Sequence, residues 1–143
     1  DYVNLGFSGS ARGEDAIADY IKDLDMSVFV LDYDHNAPSV EELEATHEKL
    51  FAKVRKTHPE IPIIIMSRPK YYLDDEEKQR LEIIRSTWKK ARMQGDERVY
   101  ILDGRELMEF AENEGTVDNC HPNDLGFASM AKALSALLKK IIK

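Results

Sequence analysis

Asp118 stands three residues before His121 in the stretch Asp118-Asn119-Cys120-His121-Pro122-Asn123-Asp124-Leu125-Gly126-Phe127. A carboxylate at that spacing can accept a hydrogen bond from the imidazole Nδ1, fix the tautomer and leave Nε2 free as a base. That is the base-and-orienter half of a serine-hydrolase triad. Such a pair needs donors for the oxyanion that forms when an acyl carbonyl is attacked. Two other stretches offer them. Gly6-Phe7-Ser8-Gly9-Ser10-Ala11-Arg12-Gly13-Glu14 is a glycine- and serine-rich turn that can present backbone N–H groups to an anion, and Asp34-His35-Asn36-Ala37-Pro38 carries an amide side chain.

Each candidate also has a plainer reading. Asn36 suits an Asx turn before Pro38, and Gly9 a backbone position at positive φ. Ser8 and Ser10 suit turn or capping roles, with substrate contact as the sharper alternative. Arg12 suits a surface ion pair with Glu14 or contact with substrate. A metal site built from Asp34, His35, Asp118 and His121 lacks the tight spacing of zinc ligands, so no metal is expected. Cys120 and His121 are adjacent and should project apart, which favours packing for the cysteine. His47 falls on an apolar helix face and His58 at a helix end, consistent with packing and capping. Arg68, Tyr71 and Tyr72 follow a strand and could line the site.

Elements that alternate must position these residues. Runs rich in β-branched and aromatic residues predict strands at Tyr2–Leu5, Met26–Tyr33, Ile61–Met66 and Val99–Leu102. Between them, helical spacing links Ile17, Tyr20, Ile21 and Leu24, then Val40, Leu43, His47, Leu50 and Val54, then Leu81, Ile84, Trp88 and Ala91. A short helix around Leu107–Ala111 and a last one over Leu125–Ile142 follow, the last with Phe127, Ala131, Leu134, Leu138 and Ile141 on one face. The order predicts an α/β fold, a three-layer αβα sandwich around a parallel sheet. Ligands in such sheets bind outside the carboxyl ends of the strands, where the candidate loops fall. Ser39 with Glu42 reads as a capping box, Asn123 or Asp124 as a cap of the last helix, and Asp74–Lys78 as a solvated first helical turn.

With 143 residues, 43% hydrophobic and 33% charged, the composition predicts a single packed domain over residues 1–143. The net charge of −7 argues against a nucleic-acid or anionic-membrane surface. Val28–Leu31 and Ile61–Met66 are far too short to span a bilayer. The single Cys120 leaves the redox compartment open. The chain opens on Asp1 directly into a strand-like run, and we expect it to be part of something longer.

At Asn4-Leu5-Gly6-Phe7-Ser8-Gly9, Asn36 and Asp118-Asn119-Cys120-His121, the residues resemble the SGNH, or GDSL-like, esterases and acylhydrolases. The resemblance covers nearly the whole chain and is closest to a bacterial subgroup with an N-L-G-F-S-G second block. It implies that Gly9 supplies an oxyanion N–H, Asn36 a second donor, and His121 with Asp118 the base dyad. Asp34 and Ala37 depart from the third block, usually G-x-N-D. The family's first block, which carries the nucleophilic Ser, precedes the second block and has no counterpart after Asp1. The rival assignment makes Ser8 the nucleophile in a degenerate first block, but the stretch from Gly9 to Asn36 has room for only one strand–helix step.

The resemblance further implies hydrolysis of short acyl esters, carbohydrate O-acetyl groups among them, without a cofactor. It implies a flavodoxin-like sheet of order 2-1-3-4-5, in which a missing first strand leaves a slot for another segment or a neighbouring copy. Asn36 and Gly9 are then expected on the same rim as His121. The alternatives are a flavodoxin-like phosphate- or nucleotide-binding module, which would lack the usual glycine fingerprints, and an inactive relative kept for interaction.

Overall fold

The structure, a computed structural model, describes residues 1–142. Three parallel strands, β1 (Phe29–Leu31), β2 (Ile63–Met66) and β3 (Val99–Leu102), form one sheet in the order β1-β2-β3. Phe29 aligns with Ile63, and Ile63 with Val99. All four residues of β2 are buried, which explains its unbroken apolar sequence: a central parallel strand is covered on both faces.

Alternation along β2 assigns the layers. Ile63 and Ile65 face α1 (Asp15–Ile21), α2 (Val40–Thr57) and α3 (Asp75–Met93), joining Leu43, Val54 and Ile84 in one core. Ile64 and Met66 face the other way, toward α4 (Gly104–Leu107) and α5 (Asp124–Ile141), with Leu107, Leu134 and Leu138. The result is the expected α/β sandwich. No helix among the described residues is long and apolar enough to cross a membrane.

Side-chain caps open α2, α3, α4 and α5, whereas α1 starts without one. Asp74 and Glu77 make a reciprocal capping box at α3, and Asp103 and Glu106 make another at α4. At α2, Ser39 Oγ accepts from the Glu42 N–H at 3.3 Å, and Asn123 Oδ1 accepts from Gly126 N–H at 3.0 Å to start α5.

Several expectations are corrected. Tyr2–Leu5 forms no strand: Tyr2 and Val3 are exposed, and nothing among the described residues pairs with the segment, so its β-favouring residues have no ladder to join. Met26–Tyr33 contracts to Phe29–Leu31, whose outer edge carries no strand among the described residues. The third run starts at Ile63 because Pro62 has no N–H to give the ladder. The short helix lies at Gly104–Leu107, drawn earlier than Leu107–Ala111 by the Asp103 cap. Phe127 and Ala131 leave the inward face of α5, where Gly126, Ser129, Ala133 and Leu137 stand; Ser129 Oγ accepts the Phe110 N–H at 3.2 Å and sets that face. Within Asp74–Lys78, Glu77 is buried and not solvated, accepting from Lys70 Nζ at 2.7 Å.

Candidate active site

The loop before α5 is closed by short bonds. Thr116 bridges Pro122, the Val117 N–H donates to His121 O at 3.0 Å, and Asn123 Nδ2 donates to Glu114 O at 2.7 Å. Asn119 sits at φ 65°, a conformation asparagine tolerates better than most residues, and lets the loop turn back on itself. Asp118 lies inside this turn. Its Oδ1 accepts the N–H groups of His121 at 2.7 Å and Cys120 at 3.0 Å, and its Oδ2 lies 2.6 Å from His121 Nδ1. The His121 N–H and then its ring hold the Asp118 carboxyl down at about 2, so it is a carboxylate at any ordinary pH. The His121 side chain is 76% exposed. No serine hydroxyl among the described residues donates to His121 Nε2, and Ser8, exposed at φ 48°, makes no hydrogen bond to the dyad.

The second loop leaves β1 as a single 3₁₀ turn, Asp34–Asn36. Asp34 is buried and binds Arg80 Nε at 2.8 Å through Oδ1 and the Arg68 N–H at 2.9 Å through Oδ2. Arg80, itself buried on α3, also donates to the carbonyls of Asp34 and Ala37. The first departure from the G-x-N-D pattern has a role here, since the Asp34 side chain pins the turn to α3; the bond at Ala37 uses a backbone carbonyl that any residue would present, and nothing in it calls for alanine. Beneath them Tyr33 is buried, its hydroxyl 2.8 Å from Thr46 Oγ1 and its ring stacked 5.8 Å from that of His47. Asn36 donates its backbone N–H to Tyr33 O at 2.8 Å, and its side-chain amide makes no hydrogen bond among the described residues.

His35 joins the two loops. Its Nδ1 lies 3.5 Å from Cys120 Sγ, across 85 positions of sequence. Burial, and then the Arg68 charge, push its pKa down to about 4, so the ring is neutral. Cys120 is therefore not simple packing: adjacent to one histidine, it faces another. The structure brings Asp118, Cys120, His121 and His35 together and sets Asn36 beside them in chain.

Gly9 stands apart. Ser8 at φ 48° and Gly9 at φ 85° form a tight turn closed by the Ser10 N–H to Phe7 O at 3.0 Å, the signature of a type I′ turn. No hydrogen bond joins the turn to Asn36 or His121 among the described residues. Arg12 does not pair its side chain with Glu14. Its Nε donates to Gly9 O at 3.2 Å and its backbone N–H to Glu14 Oε2 at 3.0 Å, so it buttresses the turn. The loop rests on the site's floor at Gly13, where a Cβ would lie 2.9 Å from the Tyr33 ring.

Three features escaped the sequence. Arg80 sits in a helix most of whose charges face water, and Glu77 in its acidic first turn, and neither spacing marks burial. The His35–Cys120 contact joins residues no local motif connects. His47, by contrast, is buried as its place on the apolar face predicts, bonding Thr87 Oγ1 through Nδ1 at 2.8 Å, and His58 ends α2 with its backbone N–H on Val54 O while its Nε2 reaches Lys22 O, at the end of α1, at 2.8 Å. Tyr71 and Tyr72 pack edge to face, centroids 5.0 Å apart, with Tyr72 exposed.

Among solved structures, the chain is similar to a GDSL-like lipase candidate from Bacteroides ovatus ATCC 8483, at 30% identity and TM-score 0.81 over 98% of this chain and 43% of that one. It is also similar in fold to the salicylyl-acyltransferase SsfX3 from a tetracycline biosynthetic pathway, at 21% identity and TM-score 0.67 over 89% and 42%. A family two carbohydrate esterase from Clostridium thermocellum, in complex with cellohexaose, matches at 18% identity and TM-score 0.65 over 84% and 37%. The chain thus spans less than half the length of each of these structures. No curated protein matches it. The sequence pattern of one family matches residues 1–139, and the chain belongs to that family, the GDSL-like lipases and acylhydrolases.

Proposed function

We propose that the protein hydrolyses short acyl esters, with His121 as general base and Asp118 as its orienter. The observation that carries this reading is the 2.6 Å contact between His121 Nδ1 and a carboxylate that two backbone N–H groups already hold in place. With Nδ1 engaged, Nε2 is free to take a proton from a serine hydroxyl as that oxygen attacks the ester carbonyl. The same proton passes to the departing alcohol when the tetrahedral intermediate collapses, and water repeats the cycle on the acyl-enzyme. Asp118 stabilises the imidazolium throughout. The Asn36 amide, which has no hydrogen-bond partner among the described residues, and the Gly9 N–H are the proposed oxyanion donors. Gly9 reaches that position only if its turn closes over the rim; Ser8 and Arg12 would then border the acyl or alcohol group.

The nucleophile in this proposal is a serine on a strand that pairs with the open edge of β1, from another segment or a neighbouring copy. The substrate class, a carbohydrate or other small-molecule ester carrying a short acyl group such as acetyl, draws support from the fold shared with a carbohydrate esterase. Hydrolysis of short aryl esters and acetylated sugars tests the reading. His121→Ala should remove most activity, and Asn36→Ala should lower kcat by roughly 10²–10³-fold with little change in KM, as loss of one oxyanion donor does elsewhere. Equal rates for wild type and His121→Ala would end it.

A further inference from the structure

Cys120, the chain's single cysteine, is the hub of a second arrangement. Ligand atoms of Asp118, Cys120 and His121 all lie within 4.8 Å of one another, and His35 Nδ1 stands 3.5 Å from Cys120 Sγ. From these distances the geometry points to a binding site for Zn²⁺ or a similar soft divalent cation, held by Cys120, His121 and Asp118 with His35 drawn in from beside the sulfur, that captures the Asp118–His121 pair.

Zinc takes tetrahedral sets of thiolate, imidazole and carboxylate, with Zn–S near 2.3 Å and Zn–N near 2.0–2.1 Å, and such bonds at a tetrahedral angle set sulfur and nitrogen about 3.5 Å apart. The Cys120–His35 pair already has that separation. His35 is the member of the set that the loop after β1 supplies, facing the sulfur from the opposite segment. Its Nε2 has no hydrogen-bond partner among the described residues, and Nδ1 is the ring nitrogen that faces the sulfur. One thiolate and one carboxylate cancel the charge of a divalent ion, and the two imidazoles add none.

The cost falls on the dyad. A carboxylate oxygen and an imidazole nitrogen on one tetrahedral zinc stand about 3.3 Å apart, so the 2.6 Å bond between Asp118 and His121 must open. Both side chains are largely exposed, at 50% and 76%, so the change is a surface rotation. Ion binding and proton transfer by His121 then exclude one another. The metal site stands on its own geometry; only its inhibitory consequence rests on the proposed activity.

Cobalt reads the site without any catalysis. Titrating the intact protein with Co²⁺ should give visible bands of a tetrahedral ion together with a near-ultraviolet thiolate-to-cobalt band, both displaced by Zn²⁺. Cys120→Ser should lose the thiolate band and weaken Zn²⁺ binding at least about tenfold. That variant keeps the backbone N–H on Asp118, and the ester hydrolysis it retains should resist Zn²⁺ at concentrations that inhibit wild type. Cobalt bound without a thiolate band, or equal Zn²⁺ affinity in Cys120→Ser, would overturn the site. A thiolate band in a protein that hydrolyses no ester would support the metal site and overturn the proposed function instead.

Discussion

The two faces of the sheet are unequally finished. Toward α1, α2 and α3, the residues Leu43, Val54, Ile63, Ile65 and Ile84 are wholly buried. Toward α5, the buried set is Ile64, Met66, Leu102 and Leu107, while Val28, Val30, Leu134, Leu137 and Ile141 are only half-covered. Of α5 itself, only Gly126 and Ser129 are buried. The candidate site straddles this difference. Its Asp34–Asn36 turn is bolted to the closed face through Arg80, whereas Asp118 and His121 sit on the entry to the open one, exposed and held by local hydrogen bonds. One half of the site borrows rigidity from a core; the other makes its own.

The largest effect should come from the bolt. Asp34→Ala leaves Arg80 buried without its carboxylate, and breaking one side of a buried pair typically costs about 3–5 kcal/mol. Urea unfolding would show it as a lower midpoint at an unchanged slope. A loss under about 1 kcal/mol, the range of exposed pairs, would mean that the turn is held some other way.

A matched pair of deletions addresses the faces directly. Ile84→Ala, on the closed side, should cost about 2–5 kcal/mol as transfer and cavity terms combine, and Leu134→Ala, half-exposed on α5, less than half of whatever Ile84→Ala costs. Equal costs would show that the α5 face is closed in solution by something the described residues do not supply.

What could be read in advance divides along the same line. β2, β3 and the three long helices were legible because their apolar spacing reports burial directly. The Asp118–His121 pair was legible because three residues of separation leave a turn few alternatives. Tyr2–Leu5 misled because composition measures willingness to pair and not the presence of a partner. Phe127 misled because helical period fixes which residues share a face but not which face turns inward; that was decided by Ser129 meeting Phe110. Arg80 and the His35–Cys120 contact were illegible for a third reason: each depends on two distant segments meeting, and neither segment records the other.

Acid should weaken the closed face in a defined window. His47 is buried, and burial pushes its pKa down from 6.5 to about 4. Between those values the unfolded chain binds a proton that the folded chain refuses, so stability falls as pH drops from about 6.5 to about 4 and loses nothing more from this group below that. The full difference corresponds to about 3 kcal/mol. His35 acts in the same direction. His47→Gln, whose amide can still meet Thr87, should flatten the slope of stability against pH in this range; an unchanged slope would mean that His47 is already protonated in the fold.

The smallest expected effect is the most pointed test of the open face. Phe127 lies in the first turns of α5, 57% exposed, on the side away from Gly126 and Ser129. A phenylalanine that already meets water loses little when replaced, because most of its apolar surface was never removed from solvent, so Phe127→Ser should change stability by no more than about 0.5 kcal/mol. The capping bond from Gly126 to Asn123 lies next to it and uses backbone N–H, so the substitution leaves the helix start intact. Serine is only a slightly poorer helix former than most, which adds a few tenths of a kcal/mol at most. A cost above about 2 kcal/mol would therefore have a single physical source, apolar area at Phe127 buried against a neighbour, and would show that the side of α5 beside the Asp118–His121 turn is covered in the working protein.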